Sequence, residues 1–199
     1  GEARGASSSP TPARKAAVRK LTASSSLTDV AFAVCTALER AGFVAVLTGG
    51  SAATVHAPDA YLSRDLDFVL TLRGQHGDDA LAALGFRRKG NVYLHAEIPF
   101  SLEFPPGPLG IGDDLVTTWD TLRRGDEVLH VLTPEDSCRD RLASWLFWAD
   151  LNGLTQALGV HLAHEDRVSL ERLRSWAQRE GQRQRFSLYE QRFAAGSTR

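Results

Sequence analysis

The sequence predicts an α+β protein, a mixed sheet flanked by helices and followed by a C-terminal helical bundle. Three observations carry this. An amphipathic stripe of helical period occupies residues 27–41, several short apolar runs separated by Gly, Pro and Asn lie between 43 and 132, and helix-period apolar residues continue from there to Phe193. Strands framed by one leading helix and a helical tail make a mixed architecture, not a regular βαβ alternation.

Composition limits the function classes. The 199 residues, 43% hydrophobic, can bury one sizeable core with at most a small appended subdomain. No window approaches the roughly 18 unbroken apolar residues of a membrane span, so no membrane partner is expected. Lys plus Arg is 23 and Asp plus Glu is 24, which argues against a protein that coats nucleic acid wholesale. Cys35 and Cys138 lie far apart and in no metal-ligand spacing, so two reduced core cysteines and a cytoplasmic location are expected.

Residues 1–24 are rich in Ala, Ser, Thr and Arg and poor in large apolar side chains, so they read as a disordered basic tail. A core is expected over 25–133 and a helical subdomain over 134–196. Ser26 and Asp29 have capping-box spacing and open a helix that ends near Gly42. Phe43 to Leu47 reads as a buried strand feeding a Gly-Gly turn, and Ser51 to His56 as a short helix stopped by Pro58. Asp65 to Leu72 alternates as a strand with one apolar face. Ala80 to Leu84 reads as the end of a small helix.

Short strands are expected over 86–89, 92–95 and 98–104, with a Pro-rich loop over 105–110. Residues 116–122 and 128–132 read as a hairpin. Thr133 is a cap with Pro134 at the first helical position. Helices are expected over 134–149, 151–163, 166–180 and 183–194. Trp119, Trp145, Trp148 and Trp176 read as packing residues.

The chemistry concentrates between 47 and 103. Side chains two apart on a strand share a face, so Asp65 and Asp67 project together while Leu66 and Phe68 enter the core. Paired carboxylates repel unless a cation neutralises them, and hard divalent ions prefer such oxygen ligands. Glu103, between the core-facing Leu102 and Phe104, repeats the arrangement and can complete a three-carboxylate cluster. Gly49 and Gly50 allow backbone N–H groups to approach a phosphate, and a helix beginning near Ser51 adds partial positive charge. Arg64, Arg139 and Arg141 are candidates to reach a triphosphate. His161 and His164 share a helix face but have no third ligand nearby.

An apolar residue, Gly50-Ser51, thirteen intervening residues and Asp65-Leu66-Asp67-Phe68 form a combination that resembles the nucleotidyltransferase superfamily related to DNA polymerase β, with the spacer at the long end of its range. The resemblance covers about residues 25–133. It implies that Asp65, Asp67 and Glu103 bind two magnesium or manganese ions, with Glu in place of the more usual Asp at the third position. It implies that Gly49, Gly50 and Ser51 contact the triphosphate of an NTP. The implied reaction moves an NMP to an acceptor hydroxyl and releases pyrophosphate. Similar proteins include toxins that modify tRNA ends and are paired with antitoxins, and antibiotic-adenylylating enzymes, so RNA or a small molecule is the implied acceptor. A degenerate member that binds nucleotide or protein without turnover is the alternative. Nucleic-acid contact would fall to Arg87, Arg88 and Lys89 or to the arginines of the helical tail, although those tail residues alternate with Glu171 and Glu180 as a salt-bridged face would.

Overall fold

The computed structural model describes residues 19–71 and 77–197. The first helix, α1 (Leu27–Arg40), is closed at its start by a capping box. The Ser26 hydroxyl accepts the Asp29 N–H at 3.1 Å, and the Asp29 carboxylate accepts the Ser26 N–H. Gly42 at φ 89 then turns the chain so that the Phe43 N–H bonds back to the Leu38 carbonyl. That return explains why β1 (Ala45–Thr48) begins two residues later than expected. The helix α2 (Gly49–His56) begins two residues earlier, with both glycines in its first turn.

Next come β2 (Asp65–Leu70), α3 (Asp78–Ala83), β3 (Arg87–Lys89), β4 (Val92–Leu94) and β5 (Ser101–Glu103). Leu72, expected in the second strand, lies outside the described residues. A small hairpin of β6 (Gly110–Ile111) and β7 (Asp114–Leu115) interrupts the expected loop. The longer hairpin, β8 (Asp120–Arg124) and β9 (Glu127–Val131), turns at Gly125 with φ 58, and its first strand starts later than position 116. Four helices complete the chain: α4 (Pro134–Trp148), α5 (Leu151–Ala163), α6 (Leu170–Arg179) and α7 (Arg183–Gly196). The sixth starts at 170, not 166, because Val168 still bonds to the His164 carbonyl and Ser169 is the residue that caps it.

Seven strands form one mixed sheet in the order β3-β4-β5-β2-β1-β9-β8. Strand β1 is antiparallel to β2 and parallel to β9, and β2 is parallel to β5. All four residues of β1 are buried, so the centre of the sheet is covered on both faces. One hydrophobic cluster joins Leu47, Leu66 and Leu102 of the sheet to Leu142, Trp145, Leu154 and Trp176 of the helical part. No helix among the described residues is long and apolar enough to cross a membrane.

Two expectations require correction. Residues 1–18 of the expected tail lie outside the described residues, but residues 19–24 are not free. Leu21 is 5% exposed within the core cluster, and Arg19 pairs with Asp29 at 2.6 Å and with Glu127 at 3.3 Å. Leu21→Ala is therefore expected to destabilise the fold by about 2 kcal/mol, the low end for a buried leucine. An unchanged denaturant midpoint would show that this leucine contributes nothing. The second correction is Trp148, which is 77% exposed and packs in no core, whereas Trp145 and Trp176 are buried as expected.

Both cysteines are free and fully buried. Cys35 donates to the Ala45 carbonyl and accepts the His130 N–H. Cys138 donates to the Ala157 carbonyl and lies 3.2 Å from the Tyr189 hydroxyl. Burial pushes each thiol up to about 12.

Candidate active site

Register, more than spacing, builds the site. Asp67 is paired with Glu103 across the parallel β2–β5 ladder and with Thr48 across the antiparallel β1–β2 ladder. Cross-strand partners share a face, and neighbouring strands lie about 4.8 Å apart, so Asp67 and Glu103 stand side by side with Asp65 two residues along on the same face. Opposite Asp65 is Ser101, whose hydroxyl donates to Asp65 Oδ1 at 2.5 Å.

The Gly-Gly turn abuts this row. Gly49 has φ 66, and a Cβ there would stand 2.3 Å from Asp67 Oδ2. Only a residue without a side chain fits that position. The Gly49 N–H is donated to Asp140 Oδ2 of α4 at 3.1 Å. Ser51 is fully buried; its hydroxyl donates to the Thr48 carbonyl at 2.8 Å and accepts the Asp67 N–H at 3.3 Å. Ser51 therefore ties the turn to β2, and Gly50 is the turn residue that lines the open space.

That space is a polar cleft of about 180 Å³ lined by Gly50, Asp65, Asp67, Glu103 and Arg141, together with Tyr61, Ser63, Asp150, Asn152 and Gln156. Arg141 of α4 lines the cleft as its basic residue, beside Gln156 of α5. Its guanidinium pairs with Asp140 at 2.7 Å and approaches Gln156 Oε1 at 3.4 Å. The Asp67 carboxyl is pushed up to about 6, first by burial and then by Glu103. Arg141 opposes the shift, while Asp140 and Asp65 add to it.

Of the nine residues expected at the site, the structure gathers Asp65, Asp67, Glu103, Gly50 and Arg141 around the cleft, with Gly49 and Ser51 directly behind them. Arg64 is exposed and does not line it. Arg139 lies elsewhere. It pairs with Asp136 and Asp114, and its guanidinium stands 5.4 Å from the Trp176 ring centroid. Just over half a helical turn separates the two: on α4, successive residues point about 100° apart, so Arg139 and Arg141 face different neighbours. His161 and His164 also diverge, His161 to the Tyr189 hydroxyl and His164 to the His56 carbonyl.

Sequence reasoning missed Asp140, Asp150 and Gln156. Asp150 carried a readable signal as a helix cap, which it is, accepting the Asn152 N–H. Asp140 was readable only as an acid between two arginines. Among the described residues, no group of three or more His, Cys, Asp and Glu side chains forms a ready-made metal site.

Compared with known protein families, characterised proteins and solved structures, the chain matches none. The case for function therefore rests on the cleft itself.

Proposed function

We propose that the chain is a metal-dependent nucleotidyltransferase that moves an NMP from an NTP to an acceptor hydroxyl and releases pyrophosphate. The observation that carries this reading is the row in which Asp67 and Glu103 pair in register, flanked by Asp65, with the Gly49-Gly50 turn packed against Asp67. The donor chemistry is that of a hard divalent ion, although the three carboxylates do not form a ready-made metal group as they stand. All three side chains offer carboxylate oxygens, and the burial and Glu103 repulsion that push the Asp67 carboxyl up to about 6 are what a cation offsets. Magnesium or manganese, held by Asp65, Asp67 and Glu103, would supply charge neutralisation and Lewis acidity at the phosphates.

The chain's own groups do the rest. Gly50 and Arg141 receive the β- and γ-phosphates, and Asp140 holds both Gly49 and Arg141 in place. Glu103, on β5, one strand farther from the turn than Asp67, takes the proton of the acceptor hydroxyl as its oxygen attacks the α-phosphorus. The bond from that phosphorus to the bridging oxygen breaks, and pyrophosphate leaves.

Incubation with labelled NTPs, magnesium and candidate RNA or small-molecule acceptors tests the reading. Label should transfer from the α-position and not from the γ-position. Metal-independent NTP binding with no transfer to any acceptor would instead make the chain a binding protein. Arg141→Ala is expected to weaken NTP binding roughly 10- to 100-fold, the worth of a charged hydrogen bond to phosphate. Arg139→Ala should leave that affinity unchanged and lower the melting temperature. Calorimetric titration distinguishes the two, and equal losses would remove Arg141 from the assigned role.

A further inference from the structure

A second groove, of about 570 Å³, opens beside the acid cleft, and Arg141 lines both. It follows one side of α4 from Asp140 to Trp148, eight residues and about 12 Å along the axis. Its floor is small, Ala143 and Ser144, and its opposite wall is the turn of the β6–β7 hairpin.

The two ends differ in chemistry. At the near end, Asp140 and Arg141 neutralise each other beside the Gly49 turn. At the far end, Phe147 and Trp148 meet edge to face, with centroids 5.8 Å apart and planes at 78°. The Trp148 ring is offered almost entirely to solvent, a costly position for the largest apolar side chain. Two carboxylates, Asp113 and Glu180, complete the lining, and neither has an ion-pair partner among the described residues. Glu180 accepts the Asp113 N–H at 3.0 Å and lies so close to Gly112 that a Cβ there would come within 2.3 Å of it.

The carboxylates of Asp113 and Glu180 disfavour phosphate in this groove, and Arg141 is the basic residue of its lining. An exposed indole in a groove that also holds the carboxylates of Asp113 and Glu180 suits a flat ring bearing N–H donors. We propose that this groove is the nucleobase subsite: the base stacks on Trp148 while Asp113 and Glu180 accept hydrogen bonds from its edge. Guanine presents two adjacent donors, N1–H and the exocyclic amine, and is held best. Uracil turns carbonyl oxygens toward the carboxylates and is held worst.

The inference rests on the reading that the acid cleft takes an NTP, and binding separates it from catalysis. The probes are the α,β-methylene analogues of GTP and UTP, which cannot transfer, and ribose 5-triphosphate, which has no base. Calorimetry with magnesium should show the GTP analogue weakened about 10-fold in Trp148→Ala, with ribose triphosphate unaffected. Glu180→Gln should narrow the gap between the GTP and UTP analogues. Trp148 is exposed and Glu180 half-buried, and circular dichroism checks the fold of both variants. Unchanged affinity for the GTP analogue in Trp148→Ala, or the same loss for ribose triphosphate, overturns the assignment even if transfer is observed. Trp148-dependent binding in a protein that transfers nothing leaves the subsite standing and removes the catalytic reading.

Discussion

Asp67→Asn is expected to abolish nucleotidyl transfer and, at pH 8 without divalent ions, to make the protein more stable. The sign follows from the carboxyl's environment. Folding raises it from an ordinary value of 3.8 to about 6, so the folded state holds this proton more tightly than the unfolded state. Below about pH 4 both states are protonated and there is no penalty. As pH rises toward 6 the unfolded chain ionises first and stability falls, and above 6 the full cost, on the order of 2–3 kcal/mol, is present. Asparagine removes that cost, so the variant should gain at pH 8 and be nearly neutral at pH 4. Magnesium should raise the melting temperature of the unsubstituted protein and not of the variant. Transfer should fall at least ~1000-fold. A variant less stable at pH 8 would show that the Asp67 carboxylate is not crowded as described.

Gly49→Ala is expected to damage both stability and transfer. Alanine at φ 66 costs roughly 1–2 kcal/mol in backbone strain alone, and its Cβ would occupy the space 2.3 Å from Asp67 Oδ2. Asp67 must then swing away, taking it out of line with Glu103. Loss of transfer together with a drop of about 2 kcal/mol or more in unfolding free energy is the expected result. At Gly50 the nearest atoms a Cβ would meet are side-chain ones, Gln156 Nε2 at 3.1 Å and Ser63 Oγ at 3.2 Å, so Gly50→Ala should be much milder. Equal effects at the two positions would break the argument.

The motif residues were legible because strand alternation alone puts Asp65 and Asp67 on one face. Glu103 was legible as an acid between two core residues, but its pairing with Asp67 depends on a parallel β2–β5 register that no local pattern encodes. Helix starts with a capping side chain, at Ser26 and Thr133, were readable to within a residue. The starts of β1 and β8 were not, because hydrogen bonds made by the preceding turns decide where pairing begins. Arg139 and Arg141 looked equivalent in sequence and differ only through the neighbours that each side of α4 meets. The arginines of the tail were expected to pair along their own helices. Instead Arg172 reaches Glu135, Arg179 reaches Asp114 and Arg174 reaches Glu190 of α7, links between elements that only the tertiary fold supplies, whereas Arg183 pairs with Glu190 along its own helix. The tryptophan rule failed at Trp148 because the helix ends there, with Ala149 in a left-handed conformation, and the described residues that follow leave it exposed.

The two sealed thiols divide the molecule in a useful way. Cys35 is clamped between α1 and the sheet, and Cys138 among α4, α5 and Tyr189 of α7. Neither can react with an alkylating agent until its surroundings open, so each is a built-in clock for one half of the core. With a saturating reagent under native conditions, matching labelling rates would mean that sheet and helical tail breathe as one cooperative unit. Faster labelling of Cys138 would mean that the helices loosen first, carrying Arg141 and Trp148 with them while the acidic row stays in place.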